Sequence, residues 1–540
     1  MKIDFRKAFD SVQWPFLCQL LLLLGFPSRF IHLIMQCVET ASYSVAVNGS
    51  IYGFFPGMNG VRQGDPLSPY LFIVCMEYLS RMLHMASLSP GFHFHPKCDS
   101  LGICHLAFAD DVILVLRGDR SFVSSLFQQL TIFGRTSGLE INPSKSSIFF
   151  GGVSDSMKQL ILSDTGFVEG SFPFRYLGIP LSPHRLLASQ FSPFLHKLDL
   201  AIQSWLRKHL SYARRLELLK SILYGMVRFW LNIFSVPDTV IKQIIYLCRN
   251  FLWTGTVSRN KSAMVAWRMV CLYKDEGGLG IFDLRARNNS FLAKHIWNIH
   301  LKADTIWIQW VHHYYIYSLS FWDTDAHPSS LPLWKSIINF RDKLVEMGGG
   351  QSHVLSLMEN WSSSTGPFTA KAYEFLRLRS NPVHWRKVVW ESWSMPRYSL
   401  IIWLAVLGRL RTKDRLHFLQ TDLTCVFCQV DNESHSHLFF GYHWISLLWQ
   451  MIRNWLRITR CMSSLSSAIR GLCRGGNNAD SRMRRVSLGI LIYIIWEERN
   501  NRLFDSTSTS IPSLFRKFQT LFFLVFHFHE QDHFSLHVGC

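Results

Sequence analysis

Asp110 and Asp111 stand side by side inside the apolar run 105–116. Adjacent carboxylates are costly there, because each raises the other's pKa and partial burial disfavours both ionised forms. A divalent cation removes that cost, and two Mg²⁺ ions about 3.5–4 Å apart are a general device for phosphoryl and nucleotidyl transfer. Such a centre needs a further carboxylate from a neighbouring strand, and Asp4, at the end of Lys2-Ile3-Asp4, is the candidate. Taken alone, the two aspartates equally make a polar hairpin turn. A second cluster lies far along the chain. Cys425-Val426-Phe427-Cys428 has the C-x₂-C spacing of half a tetrahedral zinc site, and His435, His437 and His443 follow within fifteen residues of Cys428.

These residues need elements to hold them. Residues 2–5 read as a strand, 14–24 as a helix stopped by Gly25, and 57–66 as a loop. Ser68 then reads as the cap of a helix with Pro69 at its first position and a core-facing stripe of Leu71, Phe72, Cys75 and Leu79. The run 105–116 reads as a hairpin, a helix from Ser121 ends near Gly138, and 140–142 is extended. This alternation predicts an α+β domain with an antiparallel sheet. From 190 to 300 the pattern is helical, with Arg207, Lys208, Arg214, Arg215 and Lys220 among the apolar stripes, which predicts a helical domain with one cationic side.

Composition narrows the partners. Fifty-six basic against 37 acidic residues leave a net charge of +19, which favours a polyanion, most often nucleic acid. Hydrophobic residues are 48% of the chain, enough for large cores and too many for a disordered protein. Twelve cysteines without a dense framework suit a reducing compartment. The longest apolar runs, 20–24 and 521–526, are too short to span a bilayer. The expectation is an intracellular protein of the nucleus or cytoplasm with no membrane partner.

The order of the motifs makes the acidic cluster specific. Lys2-Ile3-Asp4-Phe5-Arg6-Lys7-Ala8-Phe9-Asp10, Val61-Arg62-Gln63-Gly64-Asp65-Pro66-Leu67-Ser68-Pro69, Phe108-Ala109-Asp110-Asp111, Gly138-Leu139-Glu140-Ile141-Asn142-Pro143-Ser144-Lys145-Ser146 and Tyr176-Leu177-Gly178-Ile179-Pro180-Leu181 resemble, in order, motifs A to E of reverse transcriptases, and most closely those of LINE-type (non-LTR) retrotransposons. Downstream, Leu210-Ser211-Tyr212-Ala213-Arg214-Arg215, Phe251-Leu252-Trp253, Glu276-Gly277-Gly278-Leu279-Gly280 and Trp496-Glu497-Glu498-Arg499-Asn500 are similar to the post-polymerase region of plant LINE elements. The segment from Trp403-Leu404-Ala405 through Thr412-Lys413-Asp414-Arg415-Leu416 and His437-Leu438-Phe439-Phe440 to Trp449 resembles the zinc-binding module that follows the polymerase there.

The resemblance implies an RNA-directed DNA polymerase using an RNA template, a DNA primer and deoxynucleoside triphosphates. Asp4, Asp110 and Asp111 would hold two Mg²⁺ ions. Phe9 would be the bulky gate that excludes a ribose 2′-hydroxyl, Gln63 and Gly64 would contact the incoming nucleotide, and Lys145 would protonate the leaving pyrophosphate. Asp10 and Asp65 read instead as caps or loop ties. The basic residues Arg207, Lys208, Arg214, Arg215 and Lys220 would grip nucleic acid. In the Cys/His module the resemblance places a fourth ligand, a cysteine, two residues after the Phe-Phe pair, where this chain has Tyr442. Either His443 replaces it, giving Cys425, Cys428, His437 and His443 as Zn²⁺ ligands, or the site has lost a ligand and holds no zinc.

The expected architecture is an incomplete right-hand polymerase palm (1–182), a helical thumb-like region (183–300), a poorly patterned linker region (301–384), a small, mostly helical Cys/His module (385–455) and a helical tail (456–540). The resemblance also implies upstream fingers and an endonuclease, so the chain is expected to be N-terminally truncated with Asp4 on a frayed strand and activity impaired. The alternative is a catalytically inactive nucleic-acid-binding remnant of such an element.

Overall fold

The computed structural model describes residues 1–89, 92–206, 210–255, 263–317, 319–363, 365–415, 422–460 and 462–535. The chain forms two compact units, one made of 1–186 with 297–332, the other of 187–296 with 333–540. It mixes helix and sheet, with a palm-like first unit and a helical C-terminal region.

In the first unit β1 (Lys2–Ile3) is the middle strand of a five-stranded sheet. On one side it pairs antiparallel with β5 (Asp111–Leu114), which forms a hairpin with β4 (His105–Phe108). On the other it pairs antiparallel with β6 (Ser147–Ile148), and β7 (Val168–Glu169) completes the sheet in parallel to β6. Ile3, Val112 and Leu114 are almost wholly buried and tie this sheet to the core.

Helices cover one face. They are α1 (Ala8–Ser11), α2 (Trp14–Leu23), α3 (Ser28–Glu39), α4 (Ser68–Ser87), α5 (Arg120–Ser137) and α6 (Asp155–Thr165). Leu17, Leu71, Phe72, Leu79, Leu130 and Phe133 are their buried stripe. As expected, α2 stops before Gly25, and α5 ends at Gly138, whose φ is +83°. A β-carbon at 138 would fall 2.2 Å from the Ser11 carbonyl oxygen, so only glycine lets the helix end against α1.

One cap is corrected: Ser68 is the first helical residue of α4, and Asp65 ties the turn by accepting the Leu67 N–H at 2.8 Å. The hairpin that follows α3 was not anticipated. β2 (Ser42–Val47) and β3 (Ser50–Pro56) form a fully exposed hairpin turned by Asn48 and Gly49, both at positive φ. A last hairpin, β8 (Phe174–Tyr176) with β9 (Ile179–Leu181), turns at Leu177-Gly178.

The second unit is helical, and buried ion pairs hold it together. Arg377 bridges Glu276 and Glu374, Arg485 meets Glu391, and Arg499 meets Glu433. No helix among the described residues is long and apolar enough to cross a membrane.

Candidate metal centres

The turn of the β4–β5 hairpin is Ala109-Asp110, with Ala109 at φ +50°. That tight reversal leaves Asp110 exposed at the tip and Asp111 at the first position of β5, half-buried. β1 pairs Ile3 with Val112, so one step further along the register sets Asp4 across from Asp111. Burial pushes the Asp111 carboxyl above its ordinary range. Lys2 counteracts this, while Asp110 and Asp4 add to it. The three acids are thus neighbours on two strands and a turn, although among the described residues their carboxylates do not close to the 4.8 Å spacing of a three-ligand cluster.

Asp4 does not fray. Its N–H donates to the Ser146 hydroxyl at 3.1 Å and its carbonyl accepts the Asn142 N–H at 2.7 Å, so the loop leading into β6 holds it from one side. Ser146, buried on this loop, was missed by sequence reasoning; it lies within the Asn142–Ser146 stretch already singled out, but its role needs the β1–β6 register to be seen. Lys145 is exposed on the same loop, directly before the serine that fixes Asp4. A second missed residue is Tyr176, whose hydroxyl donates to the Asp111 carbonyl at 3.4 Å. It brings the β8–β9 hairpin against the acids.

The loop before α4 is fastened to α1 by its backbone. Gly60 N–H donates to the Val12 carbonyl at 2.8 Å, Val61 N–H to the Phe9 carbonyl at 2.7 Å, and the Trp14 indole to the Gly60 carbonyl at 2.8 Å. Gly60 has φ +84°, and a β-carbon there would sit 2.7 Å from the Asp10 carbonyl oxygen. Phe9 stacks on Phe72 of α4, with ring centroids 4.7 Å apart, so its ring is held rigidly. Gln63 reaches the Asp10 carboxylate at 3.5 Å, and Gly64, at φ +89°, has open space where a side chain would be.

In the second unit Cys425, Cys428 and His437 offer ligand atoms that all lie within 4.8 Å of one another. The local chain is shaped for this. Phe427 N–H donates to the Cys425 sulfur and Asp431 N–H to the Cys428 sulfur, both at 3.4 Å, while Gln429 at φ +55° reverses the chain. Such N–H donors stabilise thiolate charge. His437 Nε2 lies 3.4 Å from the Cys428 sulfur, and Asp431 stands 4.0 Å from its Nδ1. These three groups supply three of the four positions of a tetrahedral zinc site, and no fourth His, Cys, Asp or Glu among the described residues joins them.

His443, expected as a fourth ligand, is not in this group: it is the exposed first residue of helix His443–Trp455. His435 is engaged with the Leu410 carbonyl at 3.0 Å. Burial raises the Cys425 thiol above its usual value, with Cys428 and Glu433 adding to the effect. Zinc needs thiolates, so loading releases protons and affinity falls as pH falls, by about a hundredfold per pH unit when two cysteines deprotonate. Zinc titration at several pH values checks this; a flat affinity from pH 8 to 6.5 means the cysteines are not ligands.

The five basic residues can be followed only in part. Arg207 and Lys208 lie outside the described residues, as does Leu416 of the module motif. Arg214 is exposed beside a cavity shared with Trp205 and Arg397. Arg215 is half-buried over the Tyr212 ring, 5.4 Å from its centroid. Lys220 faces a different cavity.

A palm-like unit with neighbouring acids on its central strands, followed by a Cys/His module, is the class these features define. Residues 1–181 match the family model described as reverse transcriptase (RNA-dependent DNA polymerase), and 368–449 match that described as zinc-binding in reverse transcriptase. The chain thus carries a reverse-transcriptase domain with a zinc-binding module behind it. It is 26% identical over 313 residues to a retrovirus-related Pol polyprotein from the type-1 retrotransposable element R2 of Popillia japonica, covering 56% of this chain and 50% of that one. To the Pol polyprotein from the type-2 element R2DM of Drosophila melanogaster it is 28% identical, covering 52% of this chain and 26% of that one. To a putative ribonuclease H protein of Arabidopsis thaliana it is 29% identical, covering 24% and 21%. The chain spans about half the length, or less, of these relatives.

Proposed function

We propose that this chain is the polymerase and C-terminal part of a plant-type LINE retrotransposon polyprotein, which copies RNA into DNA from a DNA primer. The convergence of Asp4, Asp110 and Asp111 on adjacent strands carries the reading. The Arabidopsis relative supports the plant assignment. These carboxylates would hold two Mg²⁺ ions, which when bound would lower the pKa of the primer 3′-hydroxyl and neutralise the triphosphate.

The protein residues do the rest. Phe9, immobilised on Phe72, stands as the steric gate against a 2′-hydroxyl. Gly64 lets backbone approach the nucleotide, with Gln63 beside it. Lys145, on the loop that holds Asp4, delivers a proton to the departing pyrophosphate. The setting is intracellular, in the nucleus or cytoplasm, with nucleic acid as the partner.

Primer extension on poly(rA)/oligo(dT) with Mg²⁺ tests this. Incorporation of dTTP that EDTA abolishes, with UTP refused, supports it. Absence of extension with salt-sensitive RNA binding retained would replace it with a nucleic-acid binder that does no chemistry.

A further inference from the structure

We propose that a cavity in the second unit, distinct from both metal centres, binds one unpaired nucleotide of a single-stranded nucleic acid, with its phosphate on Lys220 and Lys274. The cavity measures about 480 Å³, within the roughly 300–1,000 Å³ of small-ligand sites. Lys220, Lys274, Trp390, Trp393, Ser394 and His529 stand in its wall.

The charge there is compensated only in part. Burial lowers the Lys220 pKa, and Lys274 lowers it further, while Glu217 one turn away works in the opposite direction. Neither lysine makes a salt bridge among the described residues. The cavity's other acid, Glu391, is committed to Arg485 at 2.5 Å and lies 3.9 Å from Arg482. Two ammonium groups near one another, one partly desolvated, are stabilised by an anion between them. Lys220 also sits in a π-helical turn, Leu219–Leu223, one of four such turns among the described residues and a distortion frequent at functional sites.

The remaining wall selects the anion. Lys274 lies over the Trp390 ring, 5.2 Å from its centroid, and Trp393 stacks on His529 with centroids 5.4 Å apart. The Arg482 guanidinium also lies 5.6 Å from the Trp393 centroid, so Trp393 is largely engaged and the Trp390 ring beside the two lysines is the aromatic surface that suits a base attached to the phosphate. A duplex cannot enter so small a space, whereas one splayed nucleotide fits.

Fluorescence anisotropy with a labelled oligo(rU), a labelled duplex and unlabelled UMP as competitor tests the assignment in the full chain. Lys220→Gln/Lys274→Gln should weaken oligo(rU) binding at least about tenfold, and leave duplex binding within about twofold. The same charge removed elsewhere in the unit, at the exposed Lys294 and Lys371, should change neither. Because burial disfavours the Lys220 ammonium, Lys220→Gln alone should hold or raise the melting temperature while weakening binding, a combination that a folding defect does not produce. Equal losses from both lysine pairs would overturn the proposal in favour of bulk charge. Full displacement of oligo(rU) by equimolar UMP would overturn it in favour of a free-nucleotide site. The assay needs no polymerisation, so its failure leaves the reading of Asp4, Asp110 and Asp111 untouched.

Discussion

Asp111→Asn is expected to reduce RNA-templated primer extension by roughly a thousandfold or more, while making the metal-free protein more stable. The first effect follows from a metal ligand's share in transition-state charge stabilisation, several kcal/mol, with each 1.36 kcal/mol worth tenfold. The second follows from where Asp111 stands. Burial, Asp110 and Asp4 raise its folded-state pKa, so the folded protein holds this proton more tightly than the unfolded chain does. The associated stability is fully present below the ordinary carboxylate pKa and is lost as pH rises through the folded value. At neutral pH the ionised group therefore opposes folding, and a neutral amide relieves it. Melting curves in EDTA should show the wild type losing stability as pH rises from about 4, and the variant losing less. Mg²⁺ should raise the wild-type melting temperature and leave the variant nearly unmoved. A variant less stable than wild type in EDTA would mean that the carboxylate is a structural anchor.

Arg499→Met is expected to destabilise the second unit by about 3–5 kcal/mol. Glu433 has 0% of its side chain exposed and Arg499 3%. The guanidinium donates to both carboxylate oxygens, at 2.7 and 3.3 Å, and one of those oxygens also accepts the Lys413 N–H at 2.8 Å. Removing the arginine strands a buried anion five residues after Cys428, so zinc affinity should fall with stability. Glu433→Gln/Arg499→Met should recover most of the loss, because replacing both partners removes the desolvated charges together. Urea unfolding followed by tryptophan fluorescence at fixed zinc measures both. A cost below about 1 kcal/mol would show that water reaches Glu433.

These two sites also mark how far the sequence could be read. The β4–β5 hairpin was legible because apolar residues flank a pair of polar ones, and the helices ending at Gly25 and Gly138 were legible because glycine alone suits their reversals. Asp4 could be chosen as the third acid because a strand ends at it. Ser146 and Tyr176 could not, since each acts through a register or a carbonyl remote in sequence. The Asn48-Gly49 hairpin carried a readable signal, alternating residues around a two-residue turn, that went unused. His443 had plausible spacing, but the turn His437–Gly441 and the helix that follows set it outside the cysteines' reach. The ion pair of Glu433 and Arg499 left no local trace, because complementary charges far apart in sequence look like ordinary surface residues.

The same separations govern how the chain matures during its synthesis. The ion pairs of the second unit join residues 101, 94 and 66 positions apart, and 297–332, which belongs to the first unit, emerges between Glu276 and Arg377. At about 5–20 residues per second, Glu391 waits roughly 5–20 s for Arg485 to be made. Until then burial of its unpaired carboxylate is unfavourable, so the packing around Glu391 is expected to close late. A message broken before the codon for Arg485 would yield a product whose first unit can close and whose second cannot, and quality-control proteases would meet it as a half-folded chain.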